Sequence, residues 1–184
     1  MRINLKRPLF LLGLLLMPAL THAHPAGVAV SGWHDGFNHP LHGWDHLLVM
    51  LAVGIWAAQL RGRAVWMLPL AFVGVMSLGG LAGVAGVSVP GVEMMILLSV
   101  LVFGVLVVQR VHFHARVSVL IVGFFAFFHG FAHGQEMPAS ASVLSFALGF
   151  MAATLLLHGA GIVTARLAAL AFACLLGSSA DAQQ

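Results

Sequence analysis

Two stretches of this 184-residue sequence concentrate side chains able to hold a metal ion or move a proton. The first, HPLHGWDH at residues 39–46, carries His39, His42, Asp45 and His46. The second, FHGFAHGQE at residues 128–136, carries His129, His133 and Glu136. Helix positions three and four apart share a face. His42, Asp45 and His46 are therefore expected to stack on one side of a helix start, with His39 one turn earlier. Asn38 is the expected N-cap and Pro40 suits the first turn. His129, His133 and Glu136 are expected to stack on a second helix. Imidazole and carboxylate together form a borderline-hard ligand set. It suits nickel, cobalt, zinc or copper(II) better than magnesium or calcium, which prefer all-oxygen sites. A lone H-x3-H pair is more often structural, and interfacial acids and imidazoles are often only solvated. Two such pairs, each with a carboxylate, point to a metal or proton role.

Other positions carry weaker signals. Glu93 opens a later apolar run beside Met94 and Met95, where it either completes the site or complements a helix dipole. His24 offers an amine and an imidazole for chelation if it becomes the amino terminus. His34 and Asp35 either gather ions or form a wet loop. His112, His114 and His158 fall toward the opposite end, where interfacial solvation is the expected role and an exit site the alternative. Met50 and Met76 are expected to pack or face lipid. Trp33, Trp44, Trp56 and Trp66 fall near interfaces, where Trp is common.

The elements that must position these residues are membrane helices. The chain is 61% hydrophobic and only 7% charged, against about 25% charged in a soluble domain. It cannot cover itself with a polar surface, so lipid is the expected solvent. The few basic residues form no stripe, which excludes a nucleic-acid partner. The single cysteine, Cys174, excludes an internal disulfide framework and a thiolate cage. Arg2, Lys6 and Arg7 before LFLLGLLLMPAL and THA read as a signal peptide over residues 1–23. Residues 24–184 then form one transmembrane domain. Its apolar runs predict about six helices, at 41–60, 64–87, 92–109, 115–133, 141–163 and 164–178, the last short, without a clear preceding loop, and either a half-span or an extension of the fifth. The fold class is all-α, a polytopic membrane helix bundle. Gly79, Gly83 and Gly86 on the second span, and Ala126, Gly130 and Gly134 on the fourth, are small-residue faces that let helices pack closely.

Charge placement supports this topology. Arg61, Arg63, Arg110, Arg116 and Arg166 fall in alternate connections, which puts the mature amino terminus outside by the positive-inside rule. Asp35, Asp45, Glu93, Glu136 and Asp181 fall on the other side, where they would attract cations. Both histidine clusters then lie at the same depth on the outer face.

At these clusters the chain resembles the HupE/UreJ family of hydrogenase- and urease-associated nickel permeases. HPLHGWDHLLVMLAVG, residues 39–54, matches the family's H-x5-D-H signature through His39, Asp45 and His46. FHGFAHGQE matches F-H-G-x-A-H-G-x-E in full, and LGFMAATLLLHGAGI at 148–162 is also similar. The resemblance implies a permease of the bacterial cytoplasmic membrane, carrying nickel or cobalt, with the motif residues needed for transport. It fades after Ile162, where part of the family's final hairpin is missing, and so leaves the sixth span unsupported.

The expected function is uptake of a divalent transition metal as transported substrate, nickel first, with cobalt, zinc and copper accepted by the same ligand set. The absence of thiolates suits a site that must release its ion. No P-loop is present, so coupling to ATP would need another subunit. The alternative of another class is an intramembrane zinc hydrolase, against which no H-E-x-x-H motif appears. A haem protein is a third reading, disfavoured by the close spacing of the histidines and the nearby acids. The partners implied are the bilayer and the metal ion; a homo-oligomer is compatible with the sequence.

Overall fold

The computed structural model describes residues 32–137 and 142–181, with side chains to Cys174. The expected signal peptide and His24 lie outside the described residues. Six helices follow in order: α1 Gly32–His42, α2 Trp44–Leu60, α3 Ala64–Val84, α4 Val92–Val108, α5 Ala115–Glu136 and α6 Val143–Asp181. No strand occurs among the described residues. The connections are short, so α2, α3, α4, α5 and α6 run alternately up and down a bundle, as the apolar runs require. The turns after α2 and α4 hold Arg61, Arg63 and Arg110 at one end. The helix ends bearing the two histidine stretches lie at the other.

Lipid is legible on the surface. α3 and α5, of 21 and 22 residues, rise about 1.5 Å per residue and so match a hydrocarbon core of about 30 Å. Trp66, Leu70, Leu120 and Leu156 are exposed on the outside of the bundle. Three described helices are long and apolar enough to cross a membrane, α1 and α2 together give a fourth, and α4 is a shorter apolar helix. The protein is a helical membrane bundle.

Two stretches of the chain depart from the expected boundaries. The first span is broken. α1 and α2 meet at 84° across Gly43, so Pro40 lies inside α1 and Asn38 does not cap α2. The Asn38 amide instead donates to the ring of His34 at 3.1 Å. The expected boundary between residues 163 and 164 does not exist. α6 continues through it to 39 residues, because Val163, Thr164 and Ala165 include no breaker; the Thr164 hydroxyl donates back to the Ala160 carbonyl at 2.8 Å and so does not compete for the helix's own N–H groups. With no return turn, Asp181 is carried onward past Arg166 rather than back to the acidic end.

Backbone-to-backbone seams tie the bundle together. A Cβ added at Gly130 would collide with the Met76 carbonyl, one at Gly134 with that of Gly80, and ones at Gly79 and Gly83 with those of Phe127 and Phe131. α3 and α5 therefore run parallel with no side chain between them, along the small-residue faces read from the sequence. Gly86 is not part of this face; it lies in the turn after α3 with a φ of 73°. A second seam joins α6 to α1 and α2, where Gly36 meets the Phe146 carbonyl, Gly54 that of His158 and Gly161 that of Leu51. Trp56, near the end of α2, is packed inside the bundle rather than exposed at its surface. It is fully buried, and its indole N–H donates to the Val111 carbonyl at 2.9 Å, while Met50 and Met76 are core residues.

Candidate metal-binding site

The break at Gly43 turns α1 across the mouth of the bundle and points His39 toward the end of α5. His39 Nε2–H donates to Glu136 Oε2 at 3.0 Å. His133 Nδ1 lies 3.5 Å from the same oxygen, an ion-pair contact, and neither ring nitrogen of this buried histidine meets the geometry of a hydrogen bond. One potential ligand atom from each of His39, His133 and Glu136 falls within 4.8 Å of the others. Ligands on one transition-metal ion sit about 2.1 Å from it, hence at most about 4.2 Å apart. Side-chain adjustments of well under an ångström would close the three around an ion.

Behind this group lies a pair of imidazoles. The ring of His46 is centred 4.2 Å from that of His133 and 4.7 Å from that of His129. His46 sits in the first turn of α2. Asp45 Oδ1 accepts both its backbone N–H and its ring Nδ1–H, each at 2.8 Å. Nε2 then carries the lone pair, buried and unpaired. His129 is fully buried, with Nε2 2.9 Å from the Ser99 hydroxyl. That hydroxyl gives its own proton to the Ile96 carbonyl at 2.6 Å. It must therefore accept from His129 Nε2–H, which leaves Nδ1 as the lone-pair atom, also buried and unpaired. Two imidazoles thus present unpaired nitrogens, each with its other nitrogen held by an acceptor. Metal-ligating histidines are oriented in this way.

The residues singled out from the sequence are not all equivalent here. His39, His46, His129, His133 and Glu136 come together, and Asp45 joins them through His46. His42 is exposed at the end of α1, across the break from Asp45 and His46, with Nδ1–H donating to the Asn38 carbonyl at 2.8 Å. The expected single-face stack of His42, Asp45 and His46 is therefore interrupted by Gly43. Glu93 is exposed in the first turn of α4 and is not in the described three-residue group. His158, expected to be solvated at an interface, is instead fully buried against Phe72. His112 is exposed, its Nδ1 2.7 Å from the Arg110 carbonyl. Ser99 was not anticipated, although a lone hydroxyl in VEMMILLSVLVFGVLVV was a visible signal.

The family model described as HupE / UreJ protein matches residues 11–180. The chain is 44% identical over 156 residues to Protein HupE of Rhizobium leguminosarum bv. viciae, covering 85% of this chain and 81% of that one. No solved structure matches it.

Proposed function

The chain belongs to the HupE/UreJ family, a family of membrane permeases rather than enzymes, and on that premise we propose that it takes up nickel, or a similar divalent transition metal, across the bacterial cytoplasmic membrane. The mature amino terminus faces the periplasm, and residues 1–23 act as a signal peptide. The observation that carries this reading is the convergence of His39, His133 and Glu136 onto the buried unpaired nitrogens of His46 and His129. The histidine end is the entrance. Glu136, more than half exposed, meets the hydrated ion first and offsets its charge. His39 and His133 replace water, and His46 and His129 draw the ion inward. Asp45 orients His46; His42 and Glu93 lie on the approach. Neutral nitrogen donors and one carboxylate bind firmly enough to strip water without the grip of thiolates. An inside-negative potential favours entry of a divalent cation by about 4.6 kcal/mol per 100 mV.

The test is nickel accumulation by vesicles containing the purified chain. Wild type should accumulate nickel, and Asp45→Ala and His133→Ala should lose at least about nine-tenths of the initial rate, the equivalent of a loss of about 1.4 kcal/mol. Undiminished uptake in both variants would remove the site. Cobalt, zinc and copper run in competition rank the preference, since donor type alone does not select among them.

A further inference from the structure

The row of imidazoles does not stop at His129. His158, in the body of α6, is fully buried, and neither ring nitrogen has a hydrogen-bond partner. Burying two unpaired polar atoms is unfavourable, and an apolar ring would fill the same space without that penalty. The position is tightly fixed, because the α2 backbone at Gly54 lies directly against the His158 carbonyl. Its surroundings are specific. Phe72 on α3 contacts the ring of His129 at 5.8 Å and that of His158 at 5.0 Å, so one aromatic ring separates His158 from the outer cluster. One turn before His158, the buried Thr154 donates to the Phe150 carbonyl at 2.9 Å, and its hydroxyl stands 4.0 Å from the sulfur of Met76. His158 and Thr154 on α6 therefore face Phe72 and Met76 on α3. Met76 also lines a cavity of about 180 Å³ whose wall includes His133. The cavity touches His133 and Met76 and stops short of His158, which is not among its lining residues.

We propose that His158 is a second, inner metal-binding station that receives the transported ion after the outer cluster, with the Met76 thioether, one helical turn nearer that cluster, as the donor on the way to it. The inference rests on the transport reading above. An imidazole and a thioether are neutral, borderline-to-soft donors that accept late first-row divalent ions. No carboxylate is buried among the described residues, so this station holds a dication less strongly than the cluster containing Glu136. A firm outer site followed by a weaker inner one lets an ion enter and still leave.

The full chain, purified and reconstituted in phosphatidylcholine–phosphatidylglycerol vesicles, tests this with two variants. His158→Phe keeps a ring and removes both nitrogens; His158→Met removes the ring and keeps a donor. Nickel stoichiometry is measured by equilibrium titration, and initial uptake in the vesicles. Wild type should bind two nickel ions and His158→Phe one, with uptake falling at least tenfold, while His158→Met transports faster than His158→Phe. A purely structural histidine reverses that ranking, and wild-type stoichiometry in His158→Phe overturns the proposal. If His158→Phe does not fold, X-ray absorption of wild type at the second equivalent of nickel decides: sulfur in the shell supports the station, and nitrogen and oxygen alone overturn it. Loss of uptake in Asp45→Ala with unchanged behaviour in His158→Phe sinks the inner station only. Absence of nickel binding by wild type sinks both readings.

Discussion

Asp45 grips its neighbour His46 twice through one oxygen, accepting the backbone N–H and the ring Nδ1–H at 2.8 Å each. The ring is thereby fixed in orientation and tautomer, with Nε2 turned into the bundle. Loss of such an outer partner commonly weakens metal affinity 10–100-fold. Asp45→Ala is expected to raise the nickel Kd by about that factor. Asp45→Asn, which keeps an acceptor, should raise it less. Equilibrium dialysis with radioactive nickel checks the order, and equal affinities in all three proteins would exclude the orienting role.

Ser99 holds His129 from a different helix, and its removal leaves a buried ring N–H without an acceptor. That situation costs about 1–3 kcal/mol. Ser99→Ala should lower the thermal unfolding midpoint in detergent and weaken nickel binding, while Ser99→Thr restores the hydroxyl and recovers most of both. An unchanged midpoint in Ser99→Ala would mean that His129 finds another partner.

The seam between α3 and α5 leaves no room for a methyl group at Gly130. Gly130→Ala should destabilise by about 1–3 kcal/mol or more, as overpacking does, and should displace His129 and His133 with it. At Gly159 an added Cβ meets nothing within 4 Å, so Gly159→Ala should be neutral or slightly stabilising. Unfolding of the two variants in denaturing detergent gives the comparison; equal stabilities would contradict the seam.

Acid should inhibit. An imidazole binds metal only in its neutral form, so protons compete with nickel for the imidazole ligands. Affinity is present where these rings are neutral and declines as falling pH protonates them; the sign is therefore weaker binding at lower pH. Conversely, adding nickel to lightly buffered protein below neutrality should release protons, detectable with an indicator dye. Binding that strengthens on acidification would rule out imidazole ligation.

The helices were legible because apolar runs of about 20 residues leave few other structures in lipid. The glycine faces at Gly79, Gly83, Gly130 and Gly134 were legible for the same reason, since small residues in such helices mark close packing. The break at Gly43 was not. A single glycine beside a proline and polar residues is compatible with a continuous helix start, and only packing of α1 on α6 decides against it. That packing also decides that His39 leans toward Glu136 while His42 faces outward. The continuity of α6 is one of the two readings the sequence leaves open at residue 163, and with no turn signal there the structure resolves it in favour of an extension. His158 was misplaced because its depth was judged from an assumed helix end; its contact with Phe72 depends on how α3 and α6 face each other, which periodicity does not encode.

The two glycine seams divide the protein into stiff halves, α3 with α5 and α6 with α1 and α2. The ring contacts of His39 with His133, His46 with His129 and Phe72 with His158 each join one half to the other. A slight tilt of one block against its counterpart would therefore loosen or tighten all three ring contacts together, and with them the proposed route, with neither block deforming internally.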